Sequence, residues 1–131
     1  MPDLKTHSGG CHCRTVRFEV DLPPEIEVED CNCSICAMSG NIHVIVPASR
    51  FRLLSGVQNL TEYTFNTGRA KHRFCKTCGV KSFYVPRSNP DGFAVTYRCL
   101  DDWMSLDVTV GRFDGQNWEA NAGSLAHKSI D

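Results

Sequence analysis

The stretch Val16-Arg17-Phe18-Glu19-Val20 decides the fold class. Apolar side chains alternate with charged ones at period two, the pattern of a strand with one buried and one wet face. Pro23-Pro24 ends the run, and similar runs recur down the chain. Ile26 and Val28 alternate with Glu25, Glu27 and Glu29, which predicts a short strand with an acidic outer face. Ile42-His43-Val44-Ile45-Val46 is near-continuously apolar and stops at Pro47, and Phe51 to Leu54 stops at Ser55-Gly56. Leu60 to Phe65 is rich in threonine and aromatic residues, which suit strands. Further runs centre on Ala70/His72/Phe74, Val80 to Val85, Phe93/Val95/Tyr97 and Leu106/Val108/Val110. Turn chemistry fills Pro86 to Gly92, and Asp114-Gly115 predicts a tight turn before Trp118. Helical turns are expected only near Ala48-Ser49-Arg50 and after Trp118. Many short strands between turn signals predict an all-β protein.

The chain has 131 residues, 14 Lys+Arg against 15 Asp+Glu, and a formal net charge of -1. That length fits one domain with a real core. The 22% charged and 41% apolar content excludes the disordered classes. Near-neutral charge argues against binding nucleic acid through phosphate neutralisation alone. Met1-Pro2-Asp3-Leu4-Lys5 lacks the apolar run of a signal peptide. No stretch reaches the roughly 18 apolar residues of a membrane helix. The expectation is an intracellular chain with reduced thiols.

Eight cysteines then need a purpose, and their spacing supplies one. Cys11 and Cys13 form one dyad, Cys75 and Cys78 another, and Gly79 permits the tight turn that a metal knuckle needs. Four thiolates make a closed, tetrahedral, structural zinc site. Closing a loop of about 60 residues costs on the order of 3–4 kcal/mol. Structural zinc supplies roughly 10–16 kcal/mol, so the clip prevails. Cys31, Cys33 and Cys36 offer three sulfurs within six residues and leave one position open, which is the mark of catalytic zinc. Such a thiolate-rich ion is a weak Lewis acid toward water and suits an incoming thiolate. The competing reading gives the second ion Cys99 as a fourth ligand, and a third treats Cys99 as a small buried hydrophobe. A disulfide framework, an iron–sulfur ladder and a Cys33–Cys36 redox pair all fit less well; the last lacks a visible helix, since Gly40 follows soon.

The motifs Ser8-Gly9-Gly10-Cys11-His12-Cys13, Cys31-Asn32-Cys33-Ser34-Ile35-Cys36, Tyr63-Thr64-Phe65-Asn66-Thr67, Phe74 to Val80 and Ser82 to Pro90 resemble the glutathione-dependent formaldehyde-activating enzyme / centromere protein V family. The likeness covers nearly the whole chain, and Pro86-Arg87-Ser88-Asn89-Pro90 resembles the centromere protein V branch. The resemblance implies a single domain over residues 1–131 with a β-tent fold of coiled antiparallel sheets. It implies two zinc ions: a structural one on Cys11, Cys13, Cys75 and Cys78, and a catalytic one on Cys31, Cys33 and Cys36. It implies a carbon–sulfur lyase that forms S-(hydroxymethyl)glutathione from glutathione and formaldehyde, or handles a related thiol adduct; the intracellular expectation places the chain in the cytoplasm, with nuclear presence left open. Arg14 departs from the family, which usually has glycine there, and Cys99 lies outside its seven ligands. Ten residues precede Cys11 in this sequence, and without a basic extension a chromatin role is expected to lose its physical basis.

Two rivals stand beside the enzyme reading. One is a non-catalytic two-zinc scaffold for a protein partner, with both metals closed and an apolar patch exposed. The other is a zinc or copper buffer. Arg69, Lys71 and Arg73 form a basic stripe that either grips the carboxylates of glutathione or is a solvated face. His43 is either a proton shuttle or a core histidine. His72 reads as structural and His12 as outward-facing. Arg87, Ser88 and Asn89 either line a pocket or form a plain turn. Tyr97, Trp103 and Trp118 read as packing.

Overall fold

A computed structural model describes residues 3–65, 68, 70–117 and 122–129. Arg69, Asn66, Thr67 and Trp118 lie outside the described residues. The strands are β1 (Lys5–Gly10), β2 (Arg17–Leu22), β3 (Glu25–Cys31), β4 (Ile42–Pro47), β5 (Phe51–Ser55), β6 (Leu60–Tyr63), β7 (Lys71–Cys75), β8 (Phe83–Val85), β9 (Gly92–Thr96) and β10 (Asp107–Phe113). One α-helix, α1 (Ser34–Ser39), and several single 3₁₀ turns complete the described chain. The protein is therefore nearly all β, consistent with the β-tent expectation.

The strands make two sheets. One has the order β1-β2-β5 and the other β10-β3-β4-β9-β8-β7-β6. Pairing is antiparallel except that β10 runs parallel to β3, from Asp107 beside Glu25 to Phe113 beside Cys31. That pairing delivers the end of β10 to the first cysteine of the three-cysteine motif.

The alternation read from the sequence is what joins the sheets. Phe18, Val20 and Leu22 on β2 are buried while their neighbours are half-exposed. Phe18 and Phe51 from the small sheet meet Phe83 and Phe93 from the large one, with ring centroids 4.5–6.0 Å apart. Each such ring contributes roughly 1.5–3 kcal/mol by leaving water. Close backbone approaches hold this junction: a Cβ on Gly10 would sit 2.0 Å from the Val16 carbonyl oxygen, and one on Gly9 2.7 Å from that of Cys99.

Two expectations need correction. Glu29 does not continue the acidic outer face; it is buried, and its carboxylate meets the ammonium of Lys128 from the C-terminal segment. A carboxylate can leave water there only because a cation follows it. The second concerns Cys33–Cys36: a helix does follow, beginning at Cys33 as N-cap and ending on Gly40 at φ 65°, so Gly40 closes the helix rather than forbidding it.

Candidate functional site

Cys11 and Cys13 follow β1, while Cys75 ends β7 and Cys78 lies in the next turn. Their four sulfurs lie within 4.8 Å of one another, and Cys13 Sγ is 3.6 Å from both Cys11 Sγ and Cys75 Sγ. A tetrahedron with zinc–sulfur bonds of about 2.3 Å has sulfurs about 3.8 Å apart, so the set fits such an ion. Backbone amides of Val16 and Thr77 donate to Cys11 and Cys75, at 3.3 and 3.4 Å. Amide donation, led by Cys78, pulls the Cys75 thiol down to about 6, whereas burial pushes Cys11 up to about 11. Gly79 has φ 76°, the left-handed turn expected after the dyad. The cluster joins the small sheet, through β1, to the large sheet, through β7.

The second cluster is Cys31, Cys33 and Cys36, again with all sulfurs within 4.8 Å. Cys31 ends β3, Cys33 caps α1, and Cys36 lies one turn inside the helix. Donation from the neighbouring thiols of Cys31 and Cys36 drops Cys33 to about 2 and drives Cys31 upward. Three thiols this close share their protons around one thiolate, the arrangement in which a cation displaces the remaining protons. Gly115, in the turn after β10, completes the cradle: a Cβ there would sit 2.5 Å from Cys31 Sγ and 2.8 Å from Cys33 Cβ. The sequence marked Asp114-Gly115 as a turn but carried no sign of this contact.

Cys99 does not join the second cluster. Burial raises its thiol to about 11, and the charges that act on it are those of Cys11 and Cys78, in the first cluster. The closed second site built on Cys99 is therefore not what the chain forms. Among the described residues the three-cysteine group has no fourth cysteine, and it opens onto a cavity of about 360 Å³.

Ile35, Phe65, Pro86, Phe113 and Leu125 give the cavity wall its apolar surface, and His43, His72, Tyr84, Arg87 and Gln116 add polar groups. Arg87 and Ser88 line it as the loop reading allowed, but Asn89 does not. Asn89 is fully buried and donates to the Leu125 carbonyl at 2.8 Å and to Ser129 Oγ at 2.9 Å, which pins the C-terminal segment. His43 and His72 are both buried and both line the cavity, so His72 is not confined to a structural place. In the basic stripe Arg73 pairs with Glu62 at 3.3 Å. His12 is exposed, and Tyr97 packs edge-on against Trp103, as expected.

Tyr84 was missed by the sequence reading, because it sits in an ordinary strand pattern. Its hydroxyl lies 3.7 Å from Cys36 Sγ and 3.1 Å from His43 Nδ1. A chain of hydrogen bonds fixes which atom donates. The Lys81 carbonyl can only accept, so Thr96 Oγ1 donates to it at 2.8 Å. Thr96 Oγ1 in turn accepts from Asn41 Nδ2 at 2.7 Å, which leaves Asn41 Oδ1 to accept from His43 Nδ1–H at 3.0 Å. With that proton on His43, the Tyr84 hydroxyl directs its own proton to the Cys36 sulfur. Burial holds the Tyr84 phenol well above its ordinary range, so it stays a donor. Such partners orient a metal ligand and tune its charge.

Fold and site together define a nearly all-β protein with one four-cysteine and one three-cysteine cluster, each able to hold a metal ion, the second facing a cavity. The profile of the family described as "Glutathione-dependent formaldehyde-activating enzyme" matches residues 6–116, and the chain belongs to that family. A crystal structure of a Rhodobacter sphaeroides protein is similar to it, with 37% identity and a TM-score of 0.66, covering 72% of this chain and 88% of that one.

Proposed function

We infer that the protein is a zinc-dependent enzyme of carbon–sulfur chemistry, joining the thiol of glutathione to formaldehyde as S-(hydroxymethyl)glutathione or handling a closely related thiol adduct. The observation that carries this reading is the difference between the two clusters: four sulfurs in one, and three on a cavity wall in the other. Family membership supplies the substrates. The centromere protein V branch is supported only by the loop Pro86-Arg87-Ser88-Asn89-Pro90.

Cys31, Cys33 and Cys36 would hold the reactive zinc, and Cys11, Cys13, Cys75 and Cys78 the structural one. Zinc, when bound, lowers the pKa of an arriving thiol and positions it. The chain supplies the rest. Gly115 and the α1 cap fix the three sulfurs, and Tyr84 donates to the innermost one, Cys36. Ile35, Phe113 and Leu125 line the cavity with apolar surface, while Arg87 in its wall offers a cation to a carboxylate of the thiol. In the reaction the sulfur electron pair forms a bond to the carbonyl carbon, the C=O π pair moves to oxygen, and oxygen takes up a proton.

The test is Cys36→Ser. The expected variant is folded, keeps one metal per chain and has lost adduct formation at least 100-fold. Full activity with one metal would refute the assigned role of the second cluster. Cobalt substitution gives a second readout: sulfur-to-cobalt absorption should grow on adding glutathione to the wild type and not to Cys36→Ser.

A further inference from the structure

His72 is held on three sides. Its ring stacks on Tyr84 with centroids 4.9 Å apart at 21° and on Phe65 at 5.7 Å and 23°. Its Nδ1 lies 3.2 Å from Lys81 Nζ, and that ammonium also sits 4.6 Å above the Tyr84 ring. An ammonium has donors only, so Nδ1 accepts and the ring proton must be on Nε2. Nε2 makes no hydrogen bond to any described residue, yet it is not among the buried polar atoms left without a partner. With Nδ1 engaged and both faces covered, the Nε2 edge is what His72 contributes to the cavity it shares with Cys33 and Cys36.

We propose that His72, its proton pinned on Nε2 by Lys81, donates a hydrogen bond to the carbonyl oxygen of the aldehyde as the thiolate adds to its carbon. The inference rests on the carbon–sulfur reading above. A neutral imidazole with a fixed N–H polarises a carbonyl without giving up its proton. As the C–S bond forms and the π pair moves to oxygen, His72 stabilises the growing negative charge, and that oxygen takes its proton from water. Burial and the Lys81 cation hold His72 down to about 4, so it remains the neutral donor at working pH. Lys81 is a positioning residue: it fixes the tautomer of His72 and is not part of the cavity wall. His43, on the opposite tautomer with Nδ1–H engaged by Asn41, has its proton committed elsewhere.

The experiment uses the full chain with two zinc per protein, glutathione and formaldehyde. His72→Phe keeps the aromatic stack and removes the donor. It should lower kcat about 100-fold, as removal of a single such donor does, with KM nearly unchanged. His72→Gln restores an N–H and should recover part of the loss. ¹⁵N spectra of the wild type without substrate should show His72 protonated at Nε2, and Lys81→Met should mix the two tautomers and lower kcat. An Nδ1–H tautomer in the wild type, or a His72→Phe variant within threefold of wild-type kcat, overturns the proposal. Should His72→Phe fail to load two metals, Lys81→Met decides: an unchanged tautomer and kcat overturn it. Absence of adduct formation by the wild type overturns the carbon–sulfur reading and the substrate hydrogen bond with it, and the spectra distinguish that failure because they need no substrate.

Discussion

Arg14 carries φ 69°, the left-handed region, and is the one non-glycine residue there among the described residues. An L side chain in that region costs about 1–2 kcal/mol because Cβ crowds the following carbonyl oxygen. The position lies just after Cys13, inside the turn that returns the chain to Val16, where the Cys11 amide bonds the Val16 carbonyl at 3.1 Å. The glycine expected here from the resemblance would suit this backbone, and Arg14 carries the strain of standing in its place. Arg14→Gly should stabilise the protein by about 0.5–1 kcal/mol, the strain relieved less the entropy glycine loses on folding. Thermal denaturation of the metal-loaded protein should show a rise of roughly 2–5 °C. A lower midpoint would mean that the arginine side chain contributes more than its backbone costs.

The elements show what a sequence can and cannot disclose. Strand β2 was legible because one face packs on the core and burial at period two writes itself into residue type, and β4 because both of its faces are buried and its run is near-continuously apolar up to Pro47. β1 was not: Lys5-Thr6-His7-Ser8-Gly9-Gly10 has no apolar alternation, and its strand character comes from pairing with β2. Its buried side chain is polar, with His7 Nδ1 2.8 Å from Asp102 Oδ2. α1 escaped notice because six residues are too few for a 3.6-residue period, and a helix that short is stable only in its tertiary setting. The parallel β10–β3 pair was also hidden, since nothing local specifies a partner 82 positions away. Yet that pair sets the Gly115 turn against Cys31 and Cys33. Gly115→Ala should force those sulfurs apart, at about 1–3 kcal/mol of overpacking. Elemental analysis should show the metal content falling from two per chain to one, with the first cluster still loaded. Retention of two metals would mean that the turn yields instead of the cysteines.

At the scale of the molecule, the cysteine ladder was legible because residues able to hold a metal must be of fixed type at short spacing, whereas the polar groups beside the three-cysteine cluster come from β4, β7, β8 and β9 and from the connections that carry Asn41 and Lys81. Asn41, His43, His72, Lys81, Tyr84 and Thr96 share no motif; only the large sheet brings them together. That assembly has a cost in acid. Burial holds both His43 and His72 down to about 4, against 6.5 for a free imidazole. The unfolded chain therefore binds more protons than the folded one between these values, so stability rises with pH through that window. It is fully present above about 6.5 and is lost as pH falls toward 4. Asp21, held to about 2 mainly by its hydrogen bonds from Arg52, adds a similar loss only below its ordinary 3.8. Glu29, raised by burial, works in the opposite sense: its contribution is retained in acid and lost as pH rises through its folded value. Between pH 6.5 and about 4 the two histidines therefore lower stability as pH falls, while Glu29 opposes them above its ordinary 4.5. Urea midpoints of the metal-free protein should be flat from pH 8 to 7 and fall below 6.5. The imidazole resonances of His43 and His72 should stay neutral down to the same acid limit. A resonance from either ring with a titration midpoint at or above 6 in the folded protein would show that it is hydrated. It would also break the donor chain from the Lys81 carbonyl to Cys36, or the fixed tautomer at His72, according to which ring it was.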